Sequence, residues 1–456
     1  MFHISDELLE KYAIIGPRYT SYPTAPMWHE IDRETHQAWL KANSDNEQAV
    51  SLYIHIPFCR DRCLYCGCNV TITRQQSASG DYIPYLLNEI DAQADSRTGN
   101  KTVKQLHFGG GTPNFLLDEE FQSIMDRLRK RFEFVDDTEI GIEIDPCSTG
   151  LQQLEFLADL GINRLSLGVQ DLDAKVQNAV QRVQSAEVTL EHLETARKIG
   201  IKGINFDLIY GLPFQTVESF ARTVDRVLDM KPDRLAVYNF GYLPERMIHQ
   251  RKIKPETLPS PKTKMTILLD SINRFCEAGY NYIGMDHFSL PEDELSIAQE
   301  NRTLHRNFMG YTPKSGVDLL GIGVTSISEF NGHFIQNAHK LKTYKQQISE
   351  SNLSGSRGIE LSDDDRMRKW TILKLICHFY LDFKEFYESF GVNFQDYFKE
   401  EIKQLNGLID DGLLTLDTKS IRVIDHGKIL VRNICMVFDA YLKREDKPRV
   451  KFSQTI

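Results

Sequence analysis

Four of the eight cysteines, Cys59, Cys63, Cys66 and Cys68, fall within ten residues of one another, in Tyr53-Ile54-His55-Ile56-Pro57-Phe58-Cys59-Arg60-Asp61-Arg62-Cys63-Leu64-Tyr65-Cys66-Gly67-Cys68-Asn69. Thiolates are soft ligands that select zinc, copper(I) or iron–sulfur clusters. A structural zinc site usually joins two Cys-x-x-Cys knuckles about a dozen or more residues apart. Here all four thiols share one short loop with no second knuckle elsewhere. Such a loop wraps the corner of an iron–sulfur cubane more readily than it closes a tetrahedral zinc cage. The remaining cysteines, Cys147, Cys276, Cys377 and Cys435, are scattered and read as small buried hydrophobes; a disulfide framework would spread its cysteines over distant elements.

A second concentration of unusual residues is His107-Phe108-Gly109-Gly110-Gly111-Thr112-Pro113. Three glycines remove every Cβ, so backbone N–H groups can approach a ligand and adopt positive φ. The spacing is not that of a dinucleotide-binding fingerprint. Glu143 and Asp145 alternate onto one face of Ile142-Glu143-Ile144-Asp145-Pro146. Gln170, Arg182 and Asp207 occupy comparable positions after or near further apolar runs. Singly, each is a surface residue by default. Together they suit a polar ligand with ribose and amino-acid functions.

The elements that must position these groups are legible as a rhythm. Short β-rich runs at 51–56, 104–108, 139–144, 164–169, 204–209, 234–239 and 282–286 alternate with stretches that carry apolar residues at helical spacing, such as EEFQSIMDRLRKRFEF and AEVTLEHLETARKIG. That alternation predicts βαβ units and a parallel sheet. A partial (β/α) barrel fits best, with a doubly wound open sheet as the alternative. On a barrel the chemistry sits on loops at the strands' C-terminal ends, which is where the cysteines, the glycine turn and the polar set fall. The expected domains are an N-terminal arm (1–50) over the active site, a barrel (51–359) and a mostly helical, winged-helix-like cap (360–456).

A net charge of −10 argues against bulk attraction to nucleic acid or anionic lipid. In the cap, acidic and basic residues roughly balance, so no DNA-binding role is expected there. The N-terminus lacks a basic region followed by a long apolar core, and no apolar run approaches the ~20 residues of a membrane span. The chain reads as cytoplasmic.

The C-x3-C-x2-C spacing resembles the signature of the radical S-adenosylmethionine superfamily. In that superfamily three thiolates bind three irons of a [4Fe–4S] cluster and S-adenosylmethionine chelates the fourth. Cys59, Cys63 and Cys66 match the triad, and Cys68 matches no ligand. Further along, GPRYTSYPTA, YIHIPFCRDRCLYCGCN, HFGGGTPNF, IEIDP, RLSLGVQD, FDLIYGLP, GMDHF, LHRNFMGYT, LLGIGVTSIS and RNICM resemble the oxygen-independent coproporphyrinogen III oxidases nearly end to end. The resemblance implies decarboxylation of two propionates of coproporphyrinogen III to vinyl groups. It also implies two molecules of S-adenosylmethionine, one contacted by Tyr53, Gly110, Glu143 and Ile327, the other by Tyr65, Gly111, Thr112, Gln170, Arg182, Asp207 and Gly241. Arg18 becomes a partner for substrate carboxylates. No side chain is assigned a catalytic role, the radical chemistry being the cofactor's. A small electron-transfer protein as reductant and a monomeric state complete the expectation. Two departures are Met309, where the family's pattern has glutamine, and Tyr238-Asn239-Phe240-Gly241-Tyr242, which lacks an alanine–histidine pair. The alternatives are a radical methyltransferase or haem-cleaving relative, or a haem-trafficking chaperone.

Overall fold

The computed structural model describes residues 4–443. The described residues form two compact units, one from 4–28, 265–315 and 361–443, the other from His29–Lys264 and Gly316–Glu360.

The second unit is built on a parallel sheet. Its strands are β1 (Val50–Ile56), β2 (Thr102–Gly110), β3 (Glu133–Ile144), β4 (Arg164–Gln170), β5 (Gly203–Tyr210), β6 (Arg234–Asn239) and β7 (Asp318–Ile322). The first six lie side by side in chain order, and β7 pairs parallel to β1 on its other edge, from Asp318 opposite Val50 to Ile322 opposite Ile54. A sheet that always advances in one direction through right-handed crossovers places every helix on the same face. Consecutive helices accordingly pack on one another: Ile83–Asp95 on Asp118–Arg131, that on Leu151–Asp159, and that on Ala186–Lys198. A doubly wound sheet needs a reversal of strand order, and β1 to β6 have none. Beyond β7 the sheet continues through Ile327–Phe330, His333–Asn337 and Gly355–Glu360, all antiparallel, so the barrel is partial.

The helices form for local reasons. Val217–Met230 begins at Thr216, whose side chain and that of Ser219 cap each other's backbone N–H groups, and it buries Phe220, Val224 and Val227 at helical spacing. Asp118–Arg131 carries three acids in its first turn and three bases in its last, matching the helix dipole. Each fully buried apolar side chain contributes about 1.5–3 kcal/mol. The strands then alternate: Leu106 and Phe108 are buried, while Gln105, His107 and Gly109 point to the barrel interior with the polar set.

In the other unit, Asp363–His378, Tyr380–Asp382, Phe383–Phe390, Phe394–Tyr397, Lys399–Asp410, Leu414–Leu416 and Ser420–Val423 follow one another as helix, strand, three helices and two strands. This is a winged-helix-like order. Its core is aromatic, with Phe383 stacked on Phe394 at 4.6 Å. The N-terminal turn-rich segment is pinned to this unit. Tyr19 donates to Asp439 at 3.0 Å, Tyr22 accepts from the Ala440 N–H at 3.1 Å, and Arg432 donates to the Pro17 carbonyl at 2.9 Å. One expected strand needs correction. The run at 282–286 does not extend the parallel series; Asn281–Gly284 pairs antiparallel with His287–Ser289. The two-residue link Met285–Asp286, which follows Gly284 and has Met285 at positive φ, closes a hairpin and is too short for a parallel crossover.

Candidate active site

The cysteine loop is closed at its base. Phe58–Cys59 pairs with Thr71–Ile72, the Thr71 N–H reaches the Pro57 carbonyl at 2.7 Å, and the Thr73 N–H reaches that of Cys59 at 3.0 Å. Midway, Leu64 plugs an apolar cluster with Val176, Val180, Leu212, Phe240 and Ile253. This anchor holds Cys63 and Cys66 on either side, and the Cys66 N–H bonds the Cys63 carbonyl at 3.2 Å. Outside, His249 bonds the Cys66 carbonyl at 2.8 Å, and Asn69 donates to the His339 carbonyl at 2.8 Å.

Cys59, Cys63 and Cys66 are free, half-buried thiols that open into one cavity of about 930 Å³. Burial pushes the Cys59 thiol up to about 11, partly countered by the Thr112 hydroxyl 3.1 Å away. Burial likewise raises Cys63, against the pull of Arg182. Cys66 is drawn down to about 6, first by a hydrogen bond from the Cys68 thiol, with the Cys68 N–H, Arg62 and Arg182 adding to it against the effect of burial. The Cys68 N–H lies 3.4 Å from the Cys66 sulfur. Among the described residues no three His, Cys, Asp or Glu side chains converge tightly enough to hold a single metal ion. Three soft donors spread along one loop beside two arginines fit an iron–sulfur cluster, in which each thiolate takes a different iron.

Opposite the loop stands the glycine turn. The Gly111 N–H bonds the Ile56 carbonyl and the Thr112 N–H that of Phe58, both at 2.8 Å, which ties the turn to the lead-in of Cys59. Gly110 has φ +117°, and a Cβ there would lie 2.6 Å from the His55 ring. Its N–H donates to Glu143 Oε2 at 3.3 Å, while His107 Nε2 lies 3.4 Å from Oε1. Glu143 sits deep in the barrel, yet 44% of its side chain is accessible because it faces the cavity. Burial would raise its carboxyl, but the hydrogen bond and charge of His107, the Gly110 N–H and His55 together hold it below the usual value.

The next strands complete the wall. Arg182 pairs with Asp145 at 2.6 Å and donates to the Gly168 carbonyl at 3.2 Å. Gln170 takes φ +67°, an unusual backbone for a non-glycine residue at a strand end. A Cβ on Gly168 would lie 2.7 Å from the Gln170 amide, so that glycine makes room for the side chain. Asp207 accepts from Ser166 at 2.8 Å and Asn205 at 2.9 Å. Burial raises it to about 6, and the charge of Glu143 adds to the shift. Tyr65 and Gly241 line the same cavity. Tyr242 packs against the apolar cluster around Leu64, its hydroxyl donating to the Ile253 carbonyl at 3.3 Å.

Two expected contacts stand behind the wall. Tyr53 lies beneath Gly109 and Glu143, with its hydroxyl 3.1 Å from His55 Nδ1. Ile327 crosses Gly321, the residue paired with Tyr53. Arg18, in the other unit, pairs with Asp286. Residue-by-residue reading missed His55, His107, Ser166 and Asn205. The available signal was polar residues two apart on otherwise apolar strands, as in Gln105–His107 and Asn205–Asp207.

The radical SAM superfamily model matches residues 53–227, and the HemN C-terminal domain model matches residues 361–430. The chain is 45% identical to the oxygen-independent coproporphyrinogen III oxidase of Pseudomonas aeruginosa over 99% of this chain and 98% of that protein. It is 46% identical to the Escherichia coli enzyme of the same name over 98% of each. The solved structure of coproporphyrinogen III oxidase (HemN) from Escherichia coli, described as a radical SAM enzyme, superposes with a TM-score of 0.91 at 44% identity, covering 97% of this chain and 100% of that one. Likeness of sequence and fold over both units, with neither chain leaving a substantial part unmatched, places the chain in the oxygen-independent coproporphyrinogen III oxidase family of the radical S-adenosylmethionine superfamily.

Proposed function

We propose that the protein converts coproporphyrinogen III to protoporphyrinogen IX without oxygen, in porphyrin and haem biosynthesis. The observation that carries this is the convergence of the Cys59, Cys63 and Cys66 thiols on the same cavity as Gly110, Glu143, Gln170, Arg182 and Asp207. A [4Fe–4S] cluster and S-adenosylmethionine, when bound, supply a 5′-deoxyadenosyl radical by one-electron reductive cleavage. The substrate change balances simply. Each propionate gives up one β-hydrogen atom, CO2 and one electron, the electron passing to an external one-electron acceptor, and a vinyl group is left; two rounds treat two propionates.

The chain's own residues bind and orient. Cys59, Cys63 and Cys66 hold the cluster, with Arg62 and Arg182 offsetting their negative charge. Glu143, kept ionised by His107 and the Gly110 N–H, receives hydrogen-bond donors of one S-adenosylmethionine, beside Tyr53 and Ile327. Gly111, Thr112, Gln170, Arg182, Asp207, Tyr65 and Gly241 form the place of the second. Arg18 orients a substrate carboxylate, for which a guanidinium fork is suited. We keep the division into an arm at 1–50, a barrel at 51–359 and a cap at 360–456. The match of a separate C-terminal family model at residues 361–430 supports that boundary. Among the described residues no helix is long and apolar enough to cross a membrane, and we read the enzyme as a cytoplasmic monomer.

The test is an anaerobic assay of reconstituted protein with a chemical reductant, S-adenosylmethionine and coproporphyrinogen III. Protoporphyrinogen IX forming together with 5′-deoxyadenosine is expected. Deoxyadenosine with no vinyl product would retain the radical enzyme and remove the substrate.

A further inference from the structure

We propose that the surface flanking the cysteine loop is the docking face for a small, acidic one-electron carrier protein. The inference rests on the proposed reaction, which requires an electron from outside the chain at each radical-forming step. The chain as a whole is acidic, with net charge −10. Yet both segments that clasp the loop are cationic. On one side, the segment whose His249 bonds the Cys66 carbonyl carries Arg246, Arg251, Lys252 and Lys254 against Glu245 and Glu256, and all four cations are exposed. On the other, the Asn69 side chain holds the His339 carbonyl, and exposed Lys340 and Lys342 follow directly. None of these six cations has an ion-pair partner among the described residues. The loop's own acid, Asp61, is engaged by Arg74 at 2.6 Å.

Clustered like charges repel one another, and an anionic surface relieves that repulsion. Within the cationic rim, Ile248 is 70% exposed. An apolar centre ringed by charge is the anatomy of a protein interface. Gly67 and Cys68 are themselves exposed, so a docked carrier abuts the loop that holds the cluster ligands. Such a rim steers an acidic partner from a distance comparable to the Debye length, about 8 Å at physiological salt. The competing occupant is the substrate, whose carboxylates are also anionic.

The experiment uses reconstituted holoenzyme, as wild type and as two charge-reversal pairs, Arg246→Glu/Lys252→Glu and Lys340→Glu/Lys342→Glu. Iron content is measured first, and the two flanks are independent, so a pair that loads poorly leaves the other to decide. Each protein is mixed with a fully reduced acidic flavodoxin, and bleaching of the cluster absorbance is followed by stopped flow at low and high salt. The wild-type second-order rate constant is expected to fall as salt rises. Each pair is expected to be slower by about tenfold or more at low salt and to lose its salt dependence. Turnover driven by dithionite, and the KM for coproporphyrinogen III under dithionite, should match wild type. Equal flavodoxin rates in all three proteins would overturn the proposal. So would a raised substrate KM under dithionite with flavodoxin reduction intact, which would make the cations a substrate-steering patch. Absence of vinyl product from dithionite-driven wild type would instead remove the reaction, and is read separately.

Discussion

Substituting Gly111→Ala tests how tightly the glycine turn and the cysteine loop are coupled. Gly111 has no positive φ, so alanine is conformationally acceptable there, and any effect comes from the added methyl group. That Cβ would lie 2.7 Å from the Phe58 carbonyl oxygen and 2.9 Å from the Pro57 carbonyl carbon. Both neighbours are backbone, and no rotamer change relieves the contact. Either the turn or the Pro57–Phe58 segment must move by several tenths of an ångström, against the Gly111–Ile56 and Thr112–Phe58 hydrogen bonds at 2.8 Å. Overpacking of this kind costs about 1–3 kcal/mol. A displacement of that order between groups that must meet reduces rate by about ten- to a hundredfold. The assay is the rate of 5′-deoxyadenosine formation as a function of S-adenosylmethionine, with iron content measured alongside; kcat/KM should fall by about that factor. Gly200→Ala is the control, since Gly200 has φ +89° but open space around its Cβ position: it should lower stability and leave kcat/KM unchanged. A Gly111→Ala enzyme within twofold of wild type would refute the coupling.

Three further outcomes are expected. Cys63→Ala should abolish cluster binding while leaving far-UV circular dichroism unchanged; wild-type iron content would remove Cys63 from the ligand set. Asp207, raised to about 6 mainly by burial, loses its charge as pH falls through that value. S-adenosylmethionine binding by equilibrium dialysis should therefore weaken below about pH 6, and Asp207→Asn should remove this dependence. Glu89 is fully buried and accepts hydrogen bonds from the Gly323 N–H, Asn337 and Tyr344, and burial lifts it to about 7. Because the folded state then holds a proton that the unfolded state releases near 4.5, stability should decline by up to about 3 kcal/mol as pH rises from about 4.5 to 7. Thermal midpoints across that range should show the slope, and Glu89→Gln should flatten it.

What the sequence determined by itself is local. The C-x3-C-x2-C spacing places three thiols on one loop, and that loop's length alone disfavours a closed zinc cage. The strands at 50–56, 102–110, 133–144, 164–170, 203–210 and 234–239 lie where alternating β-rich and helical patterns put them, because period 2 and period 3.6 are properties of a few consecutive residues. The glycine turn and the strand-end polar residues follow from the same pattern.

What only the tertiary structure decided is long-range. That β7 pairs beside β1, roughly 270 residues away in the chain, brings Gly321 next to Tyr53, with Ile327 against Gly321, and no local period encodes such a partner. That Tyr19 and Tyr22 close on Asp439 and Ala440 depends on side chains some 420 residues apart finding one another. The hairpin at 281–289 looked like another βα strand because strand propensity carries no direction; its antiparallel pairing comes from the link that follows. The polar lining of His55, His107, Ser166 and Asn205 could not be ranked from sequence for a related reason. A polar residue in a strand faces water or a cavity with equal ease, and only the curl of the sheet turns these residues inward, where burial and neighbouring charge reset the properties of Glu143, Asp207 and Cys66.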